Sequence, residues 1–441
     1  MFNPPQDSSQ WLLKDFTIIQ WEPPSVERGD LRIKDGWITE TGPNLTAQPN
    51  EKVMEGKGAW LIPGLVCGHT HLYSALSCGM PMPASAPISF GDMLDKVWWR
   101  LDRALDKESV IVSGLVGGIA ALRVGVTTVI DHHASPNAIE ESLLSLDDAL
   151  GDVGLRRVLC YEVTDRGGEE RANAGLKAHE ELLSRPVGKS SDGQRAVMIG
   201  AHANFTLSDE TLRRCAELSK HAGVGLHIHV AEAMDDAILI NENPVLRLDR
   251  LGALQPGSIL AHCVHTSSDD LKRIHDAGCW VTHQPRSNMN NSVGYAPVQN
   301  FSSQTFLGTD GIGADMLTEL QTAWYQGQEA KLGWSPQQWL SFFHNASNFA
   351  SQQLGVPLGE LKPGSVADLV WLDPPPGPPL TASNLAAAVI FRFSPHQIRH
   401  VMVGGSWKLW NQVPLSVDSA ELQLRAESVA TDIWRRMDSL S

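Results

Sequence analysis

Over roughly 300 residues, helix-length amphipathic segments such as SDETLRRCAELSKHAG alternate with short apolar runs such as VGLHIHVAE and GSILAHCVH. This alternation is the strongest constraint on the fold. A short run without polar alternation suits a strand buried on both faces, and a helix after each strand supplies the crossover that parallel pairing needs. The expected fold class is α/β, a (β/α)₈ TIM-like barrel spanning residues 62–361. No internal repeat of ~20–50 residues is present, which argues against solenoids and propellers.

The two ends of the chain read differently. From Trp11 to about Glu55, short β-branched or apolar runs alternate with turn signals, and Asp35-Gly36 within RIKDGWITE is a strong hairpin dipeptide. After Leu361 the pattern returns in KPGSVADLVWLD, a proline-rich PPPGPP connection, and IRHVMVGGSWKLW with its VGG turn. Residues 1–61 and 362–441 are therefore expected to form one small composite β domain, a β-sandwich.

Composition narrows the partners. The 441-residue chain is 42% apolar and carries a formal charge of −15, so nucleic acid or an anionic membrane would have to bind against its field. A small-molecule substrate is expected, with no nucleic acid and no membrane, and with a homodimer left open. The six cysteines, Cys67, Cys78, Cys160, Cys215, Cys263 and Cys279, form no C-x-x-C pair and are expected as free thiols in a cytoplasmic protein. MFNPPQDSSQWLLKDF lacks the regions of a secretory signal, so no export is expected. Val110 to Ile130 has a length of ~20 residues but contains Arg123 and several glycines. It reads as a buried helix ending near Gly125, then the strand VTTVID.

Ligand-type side chains gather where the apolar runs end. LIPGLVCGHTHLYSAL places His69 and His71 two apart, on one face of a strand. GLHIHVAEA offers His227 and His229 with Glu232 just beyond, LAHCVHTS places His262 at the tip of an apolar run with His265 behind it, and TFLGTDGIGAD ends a run at Asp310. A histidine near an apolar run is ordinarily a hydrogen-bonded core residue, and an Asp before Gly ordinarily forms a turn. That reading is kept for His227, His265 and His275. For His69, His71, His229, His262 and Asp310 together, repeated placement at strand ends favours a metal site, because barrel enzymes assemble active sites there.

In order along the chain, PGLVCGHTHLYSALSCGM, HVAEA, AHCVH, HQPRSNMNN and LGTDG resemble the amidohydrolase superfamily, in particular its cytosine/guanine-deaminase-like branch. VWWRLD and DHHASP are similar to SsnA-type aminohydrolases, kin of triazine hydrolases, and KPGSVADLV extends the resemblance over almost the whole chain. The resemblance implies metal ligation by His69, His71, His229 and Asp310, an acid/base role for Glu232, and a contact from His262 to the nucleophilic water or the substrate. It implies substrate contact by His202 and a pocket-shaping role for His283. Trp98 is a candidate for stacking on a planar heterocycle. Trp99 and His133 receive no role.

Two departures matter: Ser77-Cys78 replaces an arginine often found near this methionine, and VMIGAHANF lacks the lysine that bridges two metals in binuclear relatives. One divalent cation is expected, Zn²⁺ before Fe²⁺, because imidazoles with a carboxylate suit both. The reaction expected is hydrolytic deamination of an aminated heterocycle such as a purine, pterin, pyrimidine or triazine. Glu232, His262 and Asp310 would be catalytic, with Glu232 moving a proton to the ring and Asp310 one to the leaving ammonia. Two alternatives stand: dechlorination or N-dealkylation of a triazine-like ring, and a binding protein that has lost catalysis.

Overall fold

A computed structural model describes residue 5 and residues 8–81, 83–186 and 193–440. Part of the amino-terminal stretch behind the expectation about export lies outside the described residues. No described helix is long and apolar enough to cross a membrane.

The strands between the two ends form two parallel sheets. One runs in the order Leu65–Thr70, Val126–His133, Arg156–Tyr161, Arg195–Val197. The other runs Ile199–Ala203, Leu226–Val230, Ile259–His262, Trp280–His283, Thr305–Leu307. Single parallel bridges, Val163 to Ala201 and Thr70 to Asp310, link the two sheets, while the continuous ladders stop short of a ring. The strands are buried almost throughout, as uninterrupted apolar runs require when helices cover the outer face. The fold is thus mixed α/β with parallel sheets. The Val110–Ile130 stretch resolves as read, into the helix Lys107–Arg123 and the strand Val126–His133.

Both chain ends enter one further sheet of nine strands. The Asp35-Gly36 hairpin joins Pro24–Lys34 to Trp37–Gly42, with both turn residues at positive φ, 50° and 86°. Trp60–Pro63 pairs antiparallel with Leu369–Leu372, so the two halves meet edge to edge. Trp11 and Trp407 stand four steps apart in the strand order, yet their rings lie 6.1 Å apart, so the sheet curls over its own core. One curled sheet is what the strand order shows, where the sequence led us to expect two stacked layers. Pairing of Trp60–Pro63 with Leu369–Leu372 makes the sheet continuous across both chain ends.

The closing helix, Ser419–Ser439, turns away from this sheet. Its Trp434 Nε1 donates to Leu76 O at 3.2 Å and its Arg436 Nε to Ala104 O at 2.6 Å.

A buried ion pair ties the composite sheet to the parallel strands. Arg156, which opens its strand, donates from Nε to Asp368 Oδ2 at 2.8 Å and from a terminal nitrogen to Oδ1 at 2.9 Å, and Gly404 N donates to the same carboxylate at 2.8 Å. Both side chains are almost fully buried. Removing one member leaves an uncompensated buried charge, so Asp368→Ala should cost about 3–5 kcal/mol, read as a lower denaturation midpoint. Asp148→Ala, at the exposed Asp148–Arg185 pair, should change stability by no more than about 0.5 kcal/mol.

Candidate active site

The ends of the parallel strands converge on a cluster of imidazoles around one carboxylate. His71 Nε2 lies 2.9 Å from Asp310 Oδ1 and 3.2 Å from His229 Nε2, and His69 Nε2 lies 3.5 Å from Asp310 Oδ1. Ligand atoms of His69, His229, His262 and Asp310 all fall within 4.8 Å of one another. The set inferred from the sequence therefore comes together, with His262 reaching the cluster alongside His71.

Asp310 stands three residues past the end of its strand, rather than at the end as the sequence suggested. The chain reaches it by close approach. Thr309 N and Asp310 N both donate to His69 O, at 2.8 and 3.0 Å, and a Cβ on Gly308 would stand 2.7 Å from the His69 Cβ. Asp310, His262, Cys263 and Ala231 all hold positive φ without being glycine, a strain of about 1–3 kcal/mol each that the surrounding packing must sustain.

The outward nitrogens fix the inward ones. His71 Nδ1 donates to His132 O at 2.5 Å and His229 Nδ1 to His202 O at 2.8 Å, so each ring turns its Nε2 inward, that of His71 toward Asp310 and that of His229 toward His71. His69 Nδ1 meets His227 Nε2 at 2.8 Å. The buried Nε2 atoms of His69 and His262 have no hydrogen-bond partner. Burial pushes the His69 imidazole down to about 3 and that of His229 well below its ordinary value. For His71, burial works downward and the Asp310 hydrogen bond upward, leaving it at about 9. Lone pairs and a carboxylate this close repel one another unless positive charge sits among them, and the donor set of imidazoles plus one carboxylate fits a divalent cation.

Glu232 lies beside this cluster. Its Oε2 is 3.5 Å from His262 Nε2, and its Oε1 accepts a hydrogen bond from Asn291 Nδ2 at 3.4 Å. Burial raises its carboxyl to about 7, with His262 acting against the shift and Asp310 adding to it. Asp236 anchors the turn that carries Glu232, accepting from Ala231 N at 2.7 Å and Phe205 N at 3.2 Å. His262 is oriented in turn by Asn288 Oδ1, 2.9 Å from its Nδ1.

A cleft of about 650 Å³, counted to its open mouth, leads to these groups. Trp98, Trp99, Phe205, His202 and Glu162 line it. His202 and Trp98 thus reach the cleft, and so does Trp99. His283 stays outside its lining, buried near Tyr295 and Phe301, and His133 bonds Ser135 Oγ at 2.9 Å. Of the three histidines left to ordinary roles, His265 bonds Val293 O at 2.7 Å and His275 is an exposed helix residue, but His227 directly supports His69. His132, Glu162, Ser287 and Asn288 were not singled out from the sequence. Ser287 and Asn288 lie in the HQPRSNMNN segment, so that motif carried a signal for them. Ser287 Oγ donates to Asp310 Oδ2.

The chain is similar to proteins of related chemistry. A 5′-deoxyadenosine deaminase of Methanosarcina mazei is 26% identical over 445 residues, covering 97% of this chain and 99% of that protein. One from Methanothermobacter thermautotrophicus is 28% identical over 359 residues, covering 79% and 81%. Among solved structures, a zinc-bound adenosine deaminase from Xanthomonas campestris superposes with a TM-score of 0.80 at 21% identity, covering 99% of this chain and all of that one. An atrazine chlorohydrolase of Arthrobacter aurescens with zinc gives 0.78 at 20% identity, covering 95% and 100%. The model of the amidohydrolase family matches residues 60–408, from the strand that joins the two chain ends to the hairpin that follows them, and encloses every residue of the cluster. By that match the chain belongs to the amidohydrolase family.

Proposed function

We propose that this protein is a metal-dependent hydrolytic deaminase that releases ammonia from an aminated nitrogen heterocycle. The observation that carries the reading is Glu232, a buried carboxyl whose Oε2 lies 3.5 Å from His262 Nε2, beside the imidazole and carboxylate cluster at a cleft. Full-length relatives named 5′-deoxyadenosine deaminases support the same reaction class. The two parallel sheets and their bridging residues are read as one (β/α)₈ barrel, with residues 62–361 as the catalytic domain and residues 1–61 and 362–441 as a smaller composite one.

His69, His71, His229 and Asp310 would hold the cation, Zn²⁺ by preference and Fe²⁺ as second choice. Such a cation lowers the pKa of water toward ~7, so a nucleophile is available at neutral pH. The remaining work falls to the chain. Glu232 delivers a proton to the ring nitrogen next to the attacked carbon, which a carboxyl poised near neutrality does efficiently. Asp310 takes the proton of the added hydroxyl and passes it to the departing amine, its other oxygen held by Ser287 Oγ. His262, its Nδ1 oriented by Asn288 Oδ1, stabilises the oxygen of the tetrahedral adduct. His202 and Trp98 bind the ring in the cleft. Cytoplasmic residence belongs to the same proposal.

Purified protein of known metal content should release ammonia from at least one class among purines, pterins, pyrimidines and aminotriazines, at about one metal per chain. Glu232→Gln should keep the metal and lose about 10²–10⁴-fold in rate, whereas His69→Ala should lose both. Full activity in Glu232→Gln would remove Glu232 from the mechanism. Chloride released in place of ammonia would move the reading to a dechlorinase, and a protein without metal to the binding role.

Asp236 supplies an independent test of the turn. Burial raises its carboxyl to about 6 from 3.8, against the lowering effect of the Ala231 and Phe205 amides. With the folded value raised, the stability it contributes is fully present below 3.8 and is lost as pH rises through about 6. Asp236→Asn should therefore flatten the loss of stability across that window by up to about 3 kcal/mol, read from denaturation midpoints at its two ends. An unchanged slope would show that Asp236 titrates alike in the folded and unfolded chain.

A further inference from the structure

Beside the cation cluster, the cleft is lined by a second buried carboxylate that the mechanism above leaves unused. Glu162 follows directly on the strand Arg156–Tyr161 and is only 4% exposed. Its Oε1 is 3.3 Å from an Arg166 guanidinium nitrogen and 3.6 Å from His202 Nε2, and its Oε2 is 3.5 Å from His132 Nδ1. All three contacts are long for charge-assisted hydrogen bonds. Arg166 makes its shorter bond, 2.7 Å, to Asp102, so one guanidinium serves two carboxylates and favours the other one.

The surroundings hold further unspent capacity. His132 Nδ1, Arg166 Nε, Asp102 Oδ1 and Trp99 Nε1 are buried without a hydrogen-bond partner. The Arg166 guanidinium lies 4.6 Å over the Trp99 ring, and that ring lines the cleft. Unsatisfied buried groups are costly, and Trp99 lines the cleft together with Glu162, so a ligand seated there can complete these two.

Geometry narrows what that ligand presents. A carboxylate can only accept, so the complementary group is a donor. A second cation is disfavoured, because one of the three groups that would hold it, His229, spends Nδ1 on His202 O and turns Nε2 to His71. Ligand atoms of Glu162, His202 and His229 lie within 4.8 Å of one another, which places Glu162 beside the cation cluster. At that depth the heterocycle itself is the part of a substrate that reaches Glu162; hydroxyls of a pendant sugar stand several bonds farther out.

We propose that Glu162 is a specificity-determining residue that accepts a hydrogen bond from a ring N–H of the substrate. The preferred substrate is then an amino-substituted base with an unalkylated ring nitrogen, and its N-alkylated or N-ribosylated counterpart is rejected. This departs from the nucleoside named for the archaeal relatives. It rests on the deaminase reading for the identity of the ring, but not for the hydrogen bond.

The test compares adenine with 9-methyladenine and cytosine with 1-methylcytosine, since each methylation removes the ring N–H and keeps the amine. Metal-loaded wild-type protein should release ammonia from an N–H member with kcat/KM at least about 100-fold above its methylated partner, as expected where a site hydrogen-bonds an N–H. Glu162→Gln should remove most of that difference by slowing the N–H member, with metal content unchanged. Binding of the same four compounds to metal-loaded Glu232→Gln, read by quenching of tryptophan fluorescence, needs no turnover. Selective binding of the N–H members with no ammonia from wild type would keep Glu162's role and overturn the deaminase reading. Equal ammonia release within each pair would overturn the inference and leave the deaminase intact. Loss of metal in Glu162→Gln, or binding of none of the four compounds, would also overturn it. If Glu162→Gln fails to fold, the wild-type pairs still decide.

Discussion

A carboxylate can be buried among imidazoles only where charge and lone pairs balance, and Asp310 imposes that condition on the parallel half of the molecule. Its Oδ1 lies 2.9 Å from His71 Nε2, and its Oδ2 takes the Ser287 hydroxyl. To bring it there, the backbone passes so close to His69 that only glycine fits at position 308. Left-handed residues at Ala231, His262 and Asp310 turn three strand ends inward. The carbonyls of His132 and His202 then fix which nitrogen of His71 and His229 faces inward. Sheet register, backbone strain and tautomer all serve one requirement, a set of donors ready for positive charge.

What the sequence discloses about this arrangement follows from what strand periodicity encodes. Alternation tells which face of a strand a residue occupies, and the end of an apolar run tells where the strand stops. Those two facts suffice for His69, His71, His229 and His262, and the TDG turn marks Asp310. They do not encode depth along the strand. His227 and His229 share a face, yet one supports His69 from behind while the other faces Asp310. His132 and Glu162 fail for a related reason. Each sits beside residues that read as ordinary core, and only the distances from Glu162 to His202 and Arg166 mark it as part of the cleft. The sheet at the chain ends shows the same limit. Hairpin dipeptides predict which neighbours pair, as at Asp35-Gly36, but the pairing of Trp60–Pro63 with Leu369–Leu372 joins segments some 300 residues apart and leaves no local signal.

The curled sheet bears on the site through Arg156. That residue opens the strand that Glu162 follows, and its ion pair with Asp368 fixes the start of this strand against the sheet built from the chain ends. Helix contacts could hold the same strand by packing alone, but packing tolerates small slips that a buried bidentate pair does not. A shift of one residue would send Glu162 to the opposite face.

Unsatisfied buried polar atoms are unevenly distributed, and their distribution separates the two halves of the molecule. In the curled sheet they are chiefly indole nitrogens, Trp11, Trp407 and Trp410, each a single neutral donor among aromatic neighbours. Around the cleft they are imidazole, guanidinium and carboxylate atoms of His69, His132, His262, Arg166 and Asp102. A charged group without a full set of partners costs far more than a lone indole N–H. The large continuous core, which runs from the parallel strands into the chain-end sheet, must offset that cost before any ligand arrives. Stability is therefore drawn from helices and strand interiors, and the strand ends are left free to hold polar groups in positions that suit a bound ion and a polar ring better than they suit the folded chain alone.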